Sequence, residues 1–431
     1  MRTLQDTYKK KLQFIKNKNV LYLWHREKMR AEKYLSINKN VTGYSFANLG
    51  LFTGFAGAVV NAVYSLVLLG IFKEFLNEEM ASAAVGVYAA VYALFAVVVG
   101  IFSSEVFNFF TKSKLLYITM STLGLGYVMM SFSVKPSTFI VLDYLVNIAL
   151  TINGILLPLF ISEFSKGIGM EKLNARLHLW ANIGSIIAPM FAMWVVGLFS
   201  GDYRMPFFAA GLVYLSGLLF FKHFGIVQQD KVVKRVNFRK TLRALKISSV
   251  SFFRKSGMLR AYVVNFGFFA LRSMRLLYVP IIVIENGFTN ETLGMILSLG
   301  ILPYIISELF IGPYIKKYGA RFWLTIGFVS FAVFSLIATF ASSYALLAIF
   351  VLWQISGALM ESSHDLLFFN VMPKKEQSKY YGFFRTSVNF PSVVAPIFGT
   401  ICITLFNSTS AVWLITFVMA VLSTIVLWSK K

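Results

Sequence analysis

Two arginines lie within a stretch of the sequence that is otherwise almost entirely apolar. Arg272 and Arg275 stand three residues apart between 261 and 284, so a helix presents both on one face. Burying a charge is costly unless the charge is paired, so each guanidinium group needs a partner or a function. Two forked cations suit a carboxylate or a phosphate, which each can hold with two hydrogen bonds. The alternative is a structural ion pair, and the two interpretations are compatible.

A second polar set lies between 137 and 161. Asp143, Asn147 and Thr151 recur every four residues and form a stripe on one face of a helix. Asp143 is predicted to pair with Arg275, which lies at a comparable depth in its own stretch. Other apolar stretches carry single polar residues, which either contact a ligand or form hydrogen bonds between helices: Asn61, Tyr64 and Gln354.

The segment 361–365 brings two carboxyl groups and an imidazole to the end of a predicted helix. Glu361, His364 and Asp365 would share one face and could hold a proton whose affinity changes as water enters. The other interpretation is a gate in which the two acids pair with Arg385. Metal binding would need a further ligand, so we predict no metal site and no cofactor.

Helices that cross a membrane must position these residues. The chain of 431 residues is 57% hydrophobic and 14% charged, with a mean hydropathy of +0.70. A soluble domain needs more polar surface than this, whereas blocks of about 20 apolar residues match a bilayer. The pattern predicts an all-α, multi-pass membrane protein of twelve transmembrane helices near 44–72, 81–103, 114–133, 137–161, 178–199, 205–225, 261–284, 291–315, 321–341, 343–368, 382–405 and 410–428.

Positive charge alternates from one connection to the next. The segment 1–43 carries eleven Lys and Arg, and 222–260 carries eleven against Asp230 alone, whereas the intervening connections are neutral or acidic. The positive-inside rule then places both termini and the central loop, 226–260, in the cytoplasm. Charges spread over many loops argue against nucleic-acid binding. The segment 1–43 is either an amphipathic helix on anionic lipids or a partly ordered tail.

The sequence also repeats itself. Residues 181–192 match 388–399 in Asn, Ser, Ala, Pro and Phe at an offset of 207, and 48–52 match 265–269 at an offset of 217. Together with a third match of Asn77 to Asn290, these indicate a duplicated six-helix unit. The expected domains are two pseudo-symmetric bundles, 44–225 and 261–431, related by an axis along the membrane normal.

This layout resembles the Major Facilitator Superfamily, over about 44–430. The loop after helix eight looks like that superfamily's glycine-rich basic turn, with a lysine in place of the usual acid: Gly312, Lys316, Lys317, Gly319 and Arg321. Gly100 and Glu105 stand at the first-half counterpart. Helix five is similar to the signature of antiporter members in Gly184, Ala188 and Pro189, which alternatively form a kinked, closely packed helix.

The resemblance implies that helices one, four, seven and ten line a central cavity, and that the protein is a monomeric secondary transporter of the cell membrane that works by alternating access. The arginines favour an organic anion moved with protons. The helix-five motif and the 16% aromatic content favour efflux of amphipathic compounds by proton antiport. An enzyme is not expected, and a non-transporting receptor or lipid-moving protein on this fold is the remaining class.

Overall fold

The computed structural model describes residues 48–110, 112–164, 170–223, 251–255, 257–307, 317–361, 363–364, 366–373, 380, 384 and 386–429. These residues form helices joined by short loops. The longest are α1 (Asn48–Lys73), α2 (Glu78–Phe109), α3 (Lys112–Ser131), α4 (Pro136–Phe164), α5 (Met170–Leu198), α6 (Met205–His223), α7 (Met258–Glu285), α8 (Asn290–Ser307), α9 (Ala320–Phe340), α10 (Ser343–Glu361), α11 (Thr386–Phe406) and α12 (Val412–Trp428).

Ten of these helices are long and apolar enough to cross a membrane, and α3 and α6 lie at the two other predicted positions. The prediction of an all-helical, multi-pass membrane protein is confirmed to that extent. The number of twelve spans, the domain boundaries and the cytoplasmic side of the termini stay predictions. Helices suit these sequences because each helix satisfies its own backbone hydrogen bonds in lipid.

The tenth helix is shorter than predicted. It ends at Glu361 instead of continuing to residue 368, and a separate short helix follows at Leu366–Val371. The amide nitrogens of Ser363 and His364 both donate to the Met360 carbonyl, which closes a tight turn. The prediction that Glu361, His364 and Asp365 share one face stays a prediction, because Asp365 lies outside the described residues.

Helix contacts repeat between the two halves of the described chain. In the first half α3 packs against α4 and α6, and in the second half α9 packs against α10 and α12 in the same order. The contact of α1 with α5, where Gly184 lies against the Leu51 carbonyl, has its counterpart in the contact of α7 with α11. Such a repetition is what duplication of one six-helix unit produces.

Two helix pairs make the most extensive contacts between the halves: α2 with α11, and α5 with α8. A glycine lies at each contact. A Cβ on Gly86 would meet the hydroxyls of Thr400 and Tyr278, and a Cβ on Gly294 would lie 3.1 Å from the Met190 Cα. Only a residue without a side chain allows backbones to approach this closely.

Hydrogen bonds also join the halves, and three of them lie at one end of the molecule. Ser82 donates to Glu285 (2.9 Å), Tyr203 donates to Asn290 (2.8 Å), and Thr400 donates to the Ala83 carbonyl (3.1 Å). We call this the α1–α2 end, because the connection between those helices lies there. The halves are therefore held together at the α1–α2 end in this conformation.

Candidate functional site

A ladder of polar contacts runs between α7 and α10. Arg272 contacts Glu361 with its Nη1 atom 3.3 Å from Oε1. One turn further along α7, Arg275 Nη1 donates to Gln354 Oε1. Gln354 and Glu361 are seven residues apart on α10 and so present one face to α7. We call these contacts the α7–α10 ladder.

Arg275 is held by uncharged partners. Besides Gln354, which is buried, it donates to the Tyr304 hydroxyl (3.1 Å), and its guanidinium carbon lies 5.6 Å from the Tyr304 ring centre. The ring face attracts the cation but carries no net charge. No carboxylate among the described residues pairs with Arg275. Its positive charge is therefore oriented, and no described acid neutralises it.

Arg272 is partly exposed. Its side chain is 41% exposed, and its one ion pair within the described chain is with a glutamate that is 28% exposed. The second oxygen of Glu361, Oε2, is buried and has no hydrogen-bond partner among the described residues. Glu361 thus accepts from Arg272 with only one of its two oxygens. The Arg272 guanidinium has five N–H groups in all, so it can also donate to another anion.

The predicted pair of Asp143 with Arg275 is not formed. Asp143 is buried in the first half, where the hydroxyls of Tyr64 on α1 and Tyr88 on α2 each donate to its Oδ2 atom at 2.7 Å. The sequence placed both charged residues in the interior but could not give the rotation of each helix, which decides what a side chain faces.

The other polar residues of α4 also contact the first half. Asn147 donates to the Tyr92 carbonyl (2.9 Å), and Thr151 donates to Asn147 (3.1 Å). The bond of Asn147 to Tyr92 ties α4 to α2, which is the role of interhelical hydrogen bonding that the sequence left open, whereas the bond of Thr151 to Asn147 lies within α4. Asn61, by contrast, is exposed on α1 and keeps its amide available.

A second chain of hydrogen bonds connects the end of α10 to α7 and α11. His364 Nδ1 lies 2.8 Å from Asn265 Oδ1, Asn265 donates to Ser387, and Ser387 donates to the Phe384 carbonyl. Because the Asn265 amide donates to Ser387, its oxygen accepts, so Nδ1 of His364 carries the hydrogen. The imidazole also stacks on Phe268 at 4.6 Å, which fixes the ring.

Several of the remaining predicted residues lie outside the part of the chain that the structure describes. Asp365, Arg385, Gly312 and Lys316 lie outside the described residues, as does the side chain of Glu105. Gly100 lies on α2, where a Cβ would make only an ordinary contact with Thr151 at 3.8 Å. The basic turn is described from Lys317 onward, and its last residues are exposed at the start of α9: Lys317, Gly319 and Arg321. Gly319 has a φ of 82°, a conformation that favours glycine.

The helix-five residues have a packing role. A Cβ on Gly184 would lie 2.6 Å from the Leu51 carbonyl oxygen, and Ala188 and Pro189 are buried. Their small size allows α5 to approach α1.

Sequence reasoning missed Tyr88 and Tyr304. The signal for Tyr88 was the spacing of Tyr88, Tyr92 and Phe95, which places three aromatic rings on one face of α2. Nothing in the sequence around Tyr304 marked it as the partner of Arg275. Among the residues that the structure describes, no three His, Cys, Asp or Glu side chains come together as metal ligands.

Comparison with known proteins supports one family. Residues 261–431 match the family model of the Major Facilitator Superfamily, while no curated protein sequence matches the chain. The structure of a mutant of the nucleoside transporter NupG superposes with a TM-score of 0.69 at 15% identity, covering 90% of this chain and 98% of that one. A D-xylose-proton symporter gives 0.70 at 14%, covering 90% and 97%. A POT family transporter gives 0.69 at 10%, covering 88% and 94%. The second half of the chain thus matches the Major Facilitator Superfamily in sequence, and about nine-tenths of the chain shares its fold with these transporter structures.

Proposed function

We propose that the protein is a secondary active transporter that moves a small organic anion across the cell membrane by alternating access, coupled to protons. The single observation that supports an anionic substrate is the environment of Arg275. Its guanidinium group is held in place by Gln354 and Tyr304, beside the partly exposed Arg272, and no acid among the described residues pairs with it. A carboxylate or phosphate reaching this point would meet two cations and, among the described residues, one competing acid.

The comparisons support transport in general and not this substrate in particular. One similar structure is described as a nucleoside transporter, and another as a D-xylose-proton symporter. Both names refer to small solutes, and the second refers to protons. The positive-inside rule, applied to the basic loops, makes the α1–α2 end the external one. The conformation described here would then be closed toward the outside.

Efflux of an amphipathic compound is the less favoured alternative. Its main sequence support was the helix-five motif, and close packing of α5 against α1 accounts for those small residues. The aromatic content is partly lipid-facing, since Phe132, Trp194 and Phe340 are all strongly exposed on outer helix surfaces.

The substrate class can be tested with purified protein in liposomes. A panel of radiolabelled monocarboxylates, dicarboxylates and phosphate monoesters should contain at least one anion that accumulates. Arg275→Gln should reduce that uptake at least tenfold, because an oriented charge-assisted contact of about 1.5–3 kcal/mol is lost. The matched control is Arg321→Gln, which removes an exposed positive charge from the same half. Wild-type uptake in Arg275→Gln would contradict an anion-binding role.

A further inference from the structure

Asp143 lies in a cage of tyrosines. Tyr64 and Tyr88 donate to it directly. Tyr92 packs on Tyr64 with ring centroids 5.9 Å apart, and Tyr144 packs on Tyr88 with centroids 6.0 Å apart. Among the described residues, the titratable groups near Asp143 come from α1, α2, α3 and α4 and are phenols, which we call the tyrosine cage: Tyr64, Tyr88, Tyr92, Tyr127 and Tyr144. No lysine, arginine or histidine of the described residues contacts the carboxyl group.

The hydrogen bonds fall on one oxygen only. Both phenol hydroxyls donate to Oδ2 at 2.7 Å, and no described group donates to Oδ1. An ionised carboxylate shares its charge equally and attracts donors to both oxygens. A neutral carboxylic acid has one carbonyl oxygen, which accepts two hydrogen bonds, and one hydroxyl, which needs no donor. The arrangement around Asp143 fits the neutral acid, with the proton on Oδ1.

We propose that Asp143 is the group that binds and releases the transported proton. The inference rests on the proposed function, in which transport is coupled to protons, and it assigns that coupling to the first half of the molecule. Glu361 is less suited to the task because it already has a cationic partner in Arg272. The proton would come from water on one side of the membrane and leave to water on the other, with no further reactant.

A buried, uncompensated carboxylate in a membrane protein is costly, so Asp143 is stable in the cage only while it is neutral. Phenols remain neutral near pH 7 and cannot replace a cation. Loss of the proton therefore favours a conformation in which Oδ1 meets water. This dependence of conformation on the proton is what a coupled transporter requires.

The contacts of α2 connect this site to the arginines. Tyr88, which holds Asp143, lies two residues after Gly86, and Gly86 sits against Tyr278 of α7. Tyr278 lies one turn after Arg275 and donates to the Pro396 carbonyl of α11 at 3.1 Å. A change in the cage that moves α2 would therefore act directly on the helix that carries both arginines.

Infrared difference spectroscopy tests the protonation itself, without any substrate. The full chain in phosphatidylcholine liposomes is taken from acid to alkaline pH, and the C=O stretch of protonated carboxyl groups is recorded. We expect a band that is absent in Asp143→Asn and that moves to higher frequency in Tyr64→Phe, where one hydrogen bond to the carbonyl oxygen is lost. Asp202→Asn, which alters an aspartate paired with Arg204 in a loop, should leave the band unchanged. A spectrum of Asp143→Asn identical to that of the wild type would overturn the proposal.

A second measurement distinguishes an error in the assignment of Asp143 from an error in the proposed transport of an anion. In liposomes loaded with a pH-sensitive dye, the anion identified by the uptake panel should drive proton flux in the wild type and in the loop variant Asp202→Asn. Asp143→Asn should abolish that flux while anion exchange continues. Proton flux that persists in Asp143→Asn would overturn the assignment. Failure of the wild type to move any anion would refute the proposed function, whereas the infrared result would still decide the protonation of Asp143.

Discussion

Arg272 and Arg275 lie one turn apart on α7 but are held in different ways. Arg275 has neutral partners that fix its direction, whereas Arg272 has a charged partner that an incoming anion can replace. The first residue supplies an oriented charge, and the second supplies a contact whose strength depends on Glu361. In the proposed function, Glu361 competes with the anion for Arg272.

Removing the charge of Glu361 should therefore strengthen anion binding. In Glu361→Gln the Arg272 guanidinium has no competing carboxylate among the described residues, and a charged hydrogen bond is worth about 1.5–3 kcal/mol. We expect the dissociation constant of the transported anion to fall roughly tenfold or more, as measured by calorimetry on purified protein. Gln354→Glu provides the opposite change, because it neutralises Arg275 and should weaken binding. Unchanged affinity in Glu361→Gln would show that Glu361 does not compete with the substrate.

The sequence identified the polar side chains of the apolar stretches, but it did not predict correctly which residues they contact. Arg272, Arg275, Asp143 and Gln354 were identified because polar groups in apolar stretches are rare. Their partners depend on helix rotation, and since successive residues on a helix differ by about 100°, an apolar stretch does not reveal which neighbour a residue faces. The end of α10 at Glu361 was missed because no glycine or proline stands between 361 and 368 to mark it.

At the scale of elements, one short stretch of α2 contacts both Asp143 and the second half of the molecule. Tyr88 and Tyr92 line the tyrosine cage, and Gly86 allows α2 to lie against α11 and Tyr278. Proline residues in α5, α7 and α11 lie inside the helices that form or adjoin the contacts between halves. Such helices bend more readily where the backbone hydrogen bond is missing.

Enlarging Gly86 should open the α1–α2 end. A Cβ at this position would fall on the Thr400 and Tyr278 hydroxyls and lie 3.1 Å from the Pro396 carbonyl oxygen, so Gly86→Ala forces the helices apart. Overpacking costs about 1–3 kcal/mol, which corresponds to a shift of roughly fivefold or more in the population. The readout is the labelling rate of Ser82→Cys by a membrane-impermeant maleimide, with Cys402→Ala as background. Gly57→Ala, where a Cβ meets open space, is the control. Equal labelling in both variants would contradict the prediction.

At the scale of the whole molecule, two similar halves meet through two equivalent helix pairs. The charge differs between them: the second half carries the α7–α10 ladder with two arginines and one glutamate, and the first half carries Asp143 with neutral partners. In the proposed function, the two similar halves rock against each other, and the residues in which they differ bind the anion and the proton. This division explains why the repeat in the sequence indicated the fold, whereas the site had to be found residue by residue.

The central claim is that the solute crosses only when the halves separate at the α1–α2 end, where Ser82 now contacts Glu285. The most direct measurement is anion flux in liposomes carrying Ser82→Cys and Glu285→Cys in the Cys402→Ala background, treated with a short cleavable crosslinker. The account predicts that flux stops on crosslinking and returns when the link is cleaved, while the single variant Ser82→Cys is unaffected. Flux that continues at the original rate in the crosslinked protein would contradict it.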